Sequence, residues 1–247
     1  MFSLVVAAAL STACPHEASL GTVQFVRGTA VHRLSLADCR DRTVGRAPPF
    51  RQPRFADVSV RGSSLFLRLG GRSVRIAGPL PTMYGLRQWP TPVARSPDGR
   101  WLYTAGFDRI ATHDKRLLIA RPPAWKPRLL WNAPDRAFGS IACAPDGRSV
   151  AVQSQRSSDN GRFFATRWQL WRVGLDGSRS LLDRPSPGFA DESPLWIAGG
   201  RALVLVRERD GHGTLELLRG GRLTPLARLG YSLGYYGHHD WQLAWHG

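Results

Sequence analysis

The chain has 247 residues, 43% of them hydrophobic, which excludes global disorder and leaves room for one sizeable domain or two small ones. Its formal net charge is +16, and every positive residue except Lys115 and Lys126 is Arg. The Arg residues form no block of five like charges, and neither a C-x-x-C pair nor an arginine–glycine run occurs. A basic tail, a zinc or dithiol motif and specific nucleic-acid recognition are therefore set aside. An anionic polymer or lipid surface fits the charge as a partner; Arg spread over solvated turns is the other reading.

In chain order, residues 1–20 read as a targeting segment and short tether. Residues 2–10 are apolar or small apart from Ser3 and are too short to span a bilayer. Small residues follow at Ser11, Thr12 and Ala13, as in a secretory signal, although no Lys or Arg precedes Arg27. "LSTAC" (10–14) resembles a bacterial lipobox that would lipidate Cys14, with Ser11 departing from the usual aliphatic residue. An ordinary buried strand is the remaining reading. Export favours disulfides, and a hairpin over 22–36 would bring Cys39 near Ala18, within reach of Cys14. Lipid and disulfide compete for that sulfur. Cys143 lies in an apolar run and reads as a buried small residue.

The remaining chain, 21–247, reads as short strands. "TVQFVRG", "AVHRLSL" and "RDRTV" come first, followed by "FADVSV", "SLFLRLG" and "RSVRIAG", with "PLPTMYGLRQ" a poor fourth member. "PVARS", "WLYTAG", "RLLIAR" and "PRLLW" form the next set, then "SIACA", "SVAVQSQ", "RWQLWRV" and "SRSLLD". The last full set is "SPLWIA", "ALVLVRE", "GTLELLR" and "RLTPLAR". Second strands rich in Val and Leu fit burial on both faces, and no helical periodicity of useful length occurs. The chain stops at "HHDWQLAWHG", a first strand with nothing after it, whereas its beginning lacks a first strand. Joined, the two ends make one complete unit.

A repeat underlies these sets. Turn glycines at Gly62, Gly99, Gly147, Gly199 and Gly247 are spaced by 37, 48, 52 and 48 residues, the period of an array of supersecondary units. In "SPDGR", Pro97 presets φ, Asp98 suits the third turn position and Gly99 supplies the positive φ that leaves the turn; Pro145, Asp146 and Gly147 repeat the pattern. Radial arrays need the two ends joined, because an open array exposes strand edges. The expectation is an all-β β-propeller of four-stranded antiparallel blades, five by this reading with six as the alternative, closed by the C-terminal strand pairing with the N-terminal strands.

"SPDGRWLYTAG", "APDGRSVAVQS" and "WQLWRVGLDGSRSLLD" (168–183) resemble the WD-like repeats of the TolB-type β-propeller family. The resemblance extends over 21–247 and is closest in the third and fourth units; "IAGGR" replaces "SPDGR" in the fifth. The family's own domain has six blades. The resemblance implies a binding or scaffolding module, frequently exported in bacteria and sometimes fused to a serine hydrolase.

Propeller first strands line the central channel, so residues just before them reach a channel mouth. Asp57, Asp191, Glu192 and Asp240 are the ligand candidates at that mouth. One reading is a ring that takes a cation, a sugar or a basic peptide, with carboxylate spacing deciding any glycosidase chemistry. The favoured reading is structural, with each Asp bonded to neighbouring backbone amides. His238 and His239 of "HHDW" point to opposite faces of a strand and are a poor metal pair. No catalytic residue, metal or cofactor is assigned. The function expected is a non-enzymatic, exported, monomeric binding module of the cell envelope, with another envelope protein or a small ligand as partner. A carbohydrate-active hydrolase and a polyanion binder are the alternatives.

Overall fold

The computed structural model describes residues 14–47, 58–61, 64–69, 72–77, 93–95, 101–105, 116–121, 123–124, 128–133, 135–156, 168–231 and 243–247. Asp57, Pro97, Asp98, Gly99 and Asp240 lie outside the described residues.

Regular structure among the described residues is all β, apart from single 3-10 turns at Ala18–Leu20 and Ala198–Gly200. β1 (Thr22–Arg27), β2 (Ala30–Ser35) and β3 (Asp41–Arg46) form an antiparallel meander. β4 (Val58–Arg61), β5 (Ser64–Leu69) and β6 (Arg72–Ala77) form a three-stranded sheet. β7 (Val93–Arg95), β8 (Trp101–Ala105), β9 (Arg116–Ala120) and β10 (Arg128–Asn132) form a four-stranded one. The next sheet comprises β11 (Arg136–Cys143), β12 (Ser149–Arg156), β13 (Gln169–Gly174) and β14 (Arg179–Asp183). The last comprises β15 (Ala190–Ile197), β16 (Ala202–Arg209), β17 (His212–Arg219) and β18 (Arg222–Tyr231). β19 (Ala244–His246) adds to the free edge of β1, giving the order β19-β1-β2-β3.

The first strands stand side by side in sequence order: β7 neighbours β11, β11 neighbours β15, and β15 neighbours β19. These four sheets therefore turn this edge toward the same region, and each packs its face on the next. Leu117, Trp131, Phe138, Val150 and Val152 fill the seam between the β7–β10 and β11–β14 sheets. Ala151, Leu170, Leu203, Leu205 and Leu218 fill the next seam, and Val23, Phe25, Val204, Val206 and Leu215 the one after it. Alternation along β16 explains the division: Leu203 and Leu205 face one neighbour, Val204 and Val206 the other. Burying one such side chain contributes roughly 1.5–3 kcal/mol.

The joining of the ends is explicit. β19 runs antiparallel to β1 with Trp245 opposite Val23, and Trp245 Nε1 donates to the Leu20 carbonyl at 2.8 Å. Gly21 has φ +75, and a Cβ there would lie 2.5 Å from the His246 carbonyl oxygen. A side chain at this position would push the closing strand off its edge.

The Pro145–Asp146–Gly147 corner joins β11 to β12 as its residues dictate. Gly147 has φ +63, its N–H donates to the Ala144 carbonyl at 2.9 Å, and Asp146 Oδ1 accepts the Arg148 N–H at 2.8 Å.

One expectation is corrected. The first strands of the last two sheets start earlier than read, at Arg136 and Ala190 rather than at Ser140 and Ser193. Each carries a β-bulge, between Phe138 and Ile141 and between Glu192 and Leu195. Gly139 and Pro194 look like strand ends in sequence, yet both sit at bulges, where the missing side chain or missing N–H is tolerated. Asp191 and Glu192 are therefore inside β15, not in front of it.

Candidate functional site

The buried carboxylates Asp191, Glu192 and Glu216 lie on β15 and β17, on either side of β16. β16 runs apolar from Ala202 to Val206 and then turns to Arg207-Glu208-Arg209. Alternation carries Arg207 onto the face of Leu203 and Leu205, toward the β11–β14 sheet. Register places Asp191 directly opposite it. Arg207 Nε donates to Asp191 Oδ1 at 2.8 Å and one terminal nitrogen to Asp191 Oδ2 at 3.0 Å, a two-pronged contact. The same nitrogen also bonds Asp183 Oδ2, at the end of β14 in the neighbouring sheet. One guanidinium thus bridges two sheets through two carboxylates. Asp191 is 0% exposed, and its N–H donates to the Trp168 carbonyl at 3.0 Å.

Two further acids belong to this region. Glu216 stands opposite Leu205 across β16 and β17 and is buried on the Arg207 face. Glu192 is buried on the opposite face of β15, since it pairs with Val206 rather than Arg207. Adjacent residues on one strand point apart, so Asp191 and Glu192 do not form an acid–base pair across a common cavity. Glu208 accepts the Gly211 N–H and closes the β16–β17 hairpin.

Burial dominates the protonation of this group. It pushes Asp191 up to about 8, helped by its bond to Asp183 and opposed by Arg207. It pushes Glu216 up to about 7. Glu192 is held well above the usual carboxylate range by burial and by the charges of Glu208 and Asp191. For Arg207, burial pulls down, but the Asp191 and Asp183 carboxylates win and the guanidinium is held above its ordinary value.

The mouth role expected for Asp191 and Glu192 needs exposure, and both are buried; their neighbours are a guanidinium and the sheet interior. The arrangement clamps two sheets and offers no accessible carboxylate pair among the described residues. Arg207, Asp183 and Glu216 carry the site and were not singled out in the sequence. The available signal was an Arg in phase with Leu203 and Leu205 on the most apolar strand, since a buried Arg is rarely unpaired.

A second surface lies at the hairpin ends of the β11–β14 sheet, around an open cleft of about 860 Å³. Exposed Arg148, Arg172 and Arg179 line it, together with Ser149, Ser180 and Asp146. Arg172 Nε donates to Ser149 Oγ at 2.9 Å and lies 3.9 Å from Asp146. Asp146 and Gly147 thus shape a corner of this cleft as well as a turn.

Cys14 and Cys39 are joined in a disulfide with Cα atoms 5.8 Å apart, which ties the segment before β1 to the loop after β2. Of the two competing fates of Cys14, the structure holds the disulfide. Cys143 sits half-buried at the end of β11.

No protein-family model and no curated protein matches the chain. Among solved structures it is similar to TolB from Acinetobacter baumannii, at 17% identity and a TM-score of 0.47, over 86% of this chain and 54% of that one. It is also similar to a chain of the nidogen/laminin complex, at 14% identity and a TM-score of 0.43, over 85% and 80% of the two chains. Oligogalacturonate lyase from Vibrio parahaemolyticus follows at 12% identity and a TM-score of 0.45, over 84% and 62%. The chain spans about half the length of TolB. These scores lie below 0.5 and carry no argument, so the architecture rests on the strand pairing described above.

Proposed function

We propose that this chain is a non-catalytic, exported binding module built as a five-sheet β-propeller. Three features support the architecture: side-by-side first strands, meander sheets, and the β19–β1 joining of the ends. The observation that carries the non-catalytic reading is the fate of the inner carboxylates. Asp191 is spent on Arg207 with Asp183, and Glu192 is buried on the other side of the strand. A glycosidase needs two accessible carboxyl groups at a working separation. Asp57 and Asp240 remain the candidates at the channel mouth.

The segment 1–20 and the Cys14–Cys39 disulfide support export, because disulfides persist in oxidising compartments. Cys14 spent in this bond is not available for lipid, so we favour release over anchoring. A reporter that is active only outside the cytosol, fused after the full chain, tests export; activity is expected, and an inactive but intact fusion contradicts it. Turnover of oligosaccharide and peptide substrates tests the catalytic alternative. No turnover is expected, and turnover abolished by Asp191→Asn or Glu192→Gln in a folded variant overturns the binding reading.

The Arg148–Arg172–Arg179 cleft favours one partner class, an anionic polymer or lipid headgroup, on a chain of net charge +16. Binding to anionic vesicles or heparin that weakens with salt, and weakens again in Arg148→Ala/Arg179→Ala, is the expected result. Equal binding by wild type and variant removes the cleft from the account.

A further inference from the structure

Cys14, His16 and Cys39 bring two sulfurs and an imidazole together, their ligand atoms all within 4.8 Å of one another. His16 presents both ring nitrogens to the Cys39 sulfur, at 3.9 and 4.0 Å, while remaining exposed. A disulfide alone does not call for this imidazole.

Two main-chain bonds near the cluster are independent of the S–S bond. The Glu17 N–H donates to the Leu36 carbonyl at 2.8 Å, which fixes the residue after His16 against the end of β2. The Cys39 N–H donates to the Ser35 carbonyl at 2.9 Å and fixes the loop that carries the second sulfur. Glu17 is further tied to Arg219 on β17. His16 and Cys39 also share an unusual backbone: φ is +49 and +62, the left-handed region that non-glycine residues seldom occupy. Main-chain bonds at Glu17 and at Cys39 thus hold the residue after His16 and the Cys39 loop without the disulfide.

We propose that reduction of the Cys14–Cys39 disulfide by a dithiol opens a zinc site whose ligands are the Cys14 and Cys39 thiolates and the His16 imidazole. The step is balanced: the disulfide takes two electrons and two protons from the dithiol, which becomes a cyclic disulfide. Zn²⁺ then displaces the two thiol protons. Two thiolates and one imidazole form a soft donor set that selects Zn²⁺ over Mg²⁺ or Ca²⁺. Cα atoms 5.8 Å apart leave room for two sulfurs to bracket an ion at Zn–S distances of about 2.3 Å. The exposed side of His16 leaves the fourth position to water or an outside ligand. The two acids adjacent in sequence are engaged elsewhere, Glu17 with Ser19 and Arg219 and Asp38 with Arg40. The oxidised chain is locked and metal-free; the reduced chain is a metal binder.

The test uses the full chain, oxidised or dithiol-reduced, with Zn²⁺ competed against a chromophoric chelator and Co²⁺ as an absorbing reporter. The reduced protein is expected to take up one Zn²⁺ per chain and to show thiolate–Co²⁺ absorbance, while the oxidised protein does neither. His16→Ala keeps the disulfide and should weaken Zn²⁺ binding at least about tenfold. Cys143→Ser should bind as wild type does. Equal uptake by oxidised and reduced protein overturns the proposal, as does unchanged affinity in His16→Ala or loss of uptake in Cys143→Ser. A mass spectrum showing lipid on Cys14 overturns it as well.

Discussion

Two seams between neighbouring sheets each hold an Arg, Arg136 buried and Arg207 half-buried, and they treat it differently. At the seam between the β7–β10 and β11–β14 sheets, Arg136 donates to neutral partners, Ser154 Oγ and Gln169 Oε1, both at 2.9 Å. Its guanidinium lies over the rings of Trp131 and Trp171, at 5.8 and 5.1 Å. Burial pulls the guanidinium below its ordinary value. At the next seam Arg207 meets Asp191 and Asp183, and the guanidinium is held above its ordinary value. The first seam satisfies a buried cation with dipoles and π faces, the second with charge. Only the second responds to pH near neutrality, because its partner Asp191 is an acid whose protonation burial has moved.

The largest expected effect breaks the charged seam. Arg207→Ala leaves Asp191 and Asp183 without their cation and should cost about 3–5 kcal/mol in urea unfolding. Arg136→Ala leaves only neutral groups behind and should cost less, about 1–3 kcal/mol. Equal losses would erase the distinction between the seams. Gly21→Ala acts elsewhere, at the closing strand. It should cost roughly 1–3 kcal/mol through its left-handed backbone and the clash with His246, read as a lowered melting temperature. The smallest effect is expected at the hairpin corner, where Asp146→Ala removes one exposed turn bond and should cost below about 1 kcal/mol in the same melt.

Much of this architecture was legible in the sequence, for reasons that differ between regions. Turn chemistry is local, so Pro145-Asp146-Gly147 announced its hairpin and set the register of the neighbouring strands. The join of the two ends was legible because a missing first strand and a spare one are complementary. The hairpin over 22–36 made a Cys14–Cys39 bond one of the open readings of Cys14, because it folds Cys39 back toward the segment before β1. Asp191 and Glu192 read as lying in front of a strand because the strand itself reads as starting at Ser193, while the bulge lets β15 begin at Ala190. Arg207 escaped notice because its partner Asp183 belongs to another sheet, 24 residues away, and no local pattern records a contact across a seam.

The account turns on the buried acids holding the seam rather than doing chemistry, and the pH dependence of stability tests this most directly. The folded-state value of Asp191, about 8, lies above its ordinary 3.8, so folding favours the protonated acid. Its contribution is complete below about pH 4, declines as pH rises and is gone above about pH 8. Glu216 acts in the same direction between 4.5 and about 7. Unfolding free energy from urea melts, measured from about pH 5 to about pH 9, should fall with rising pH in the wild type and fall less steeply in Asp191→Asn. Identical slopes for the two proteins would contradict the account.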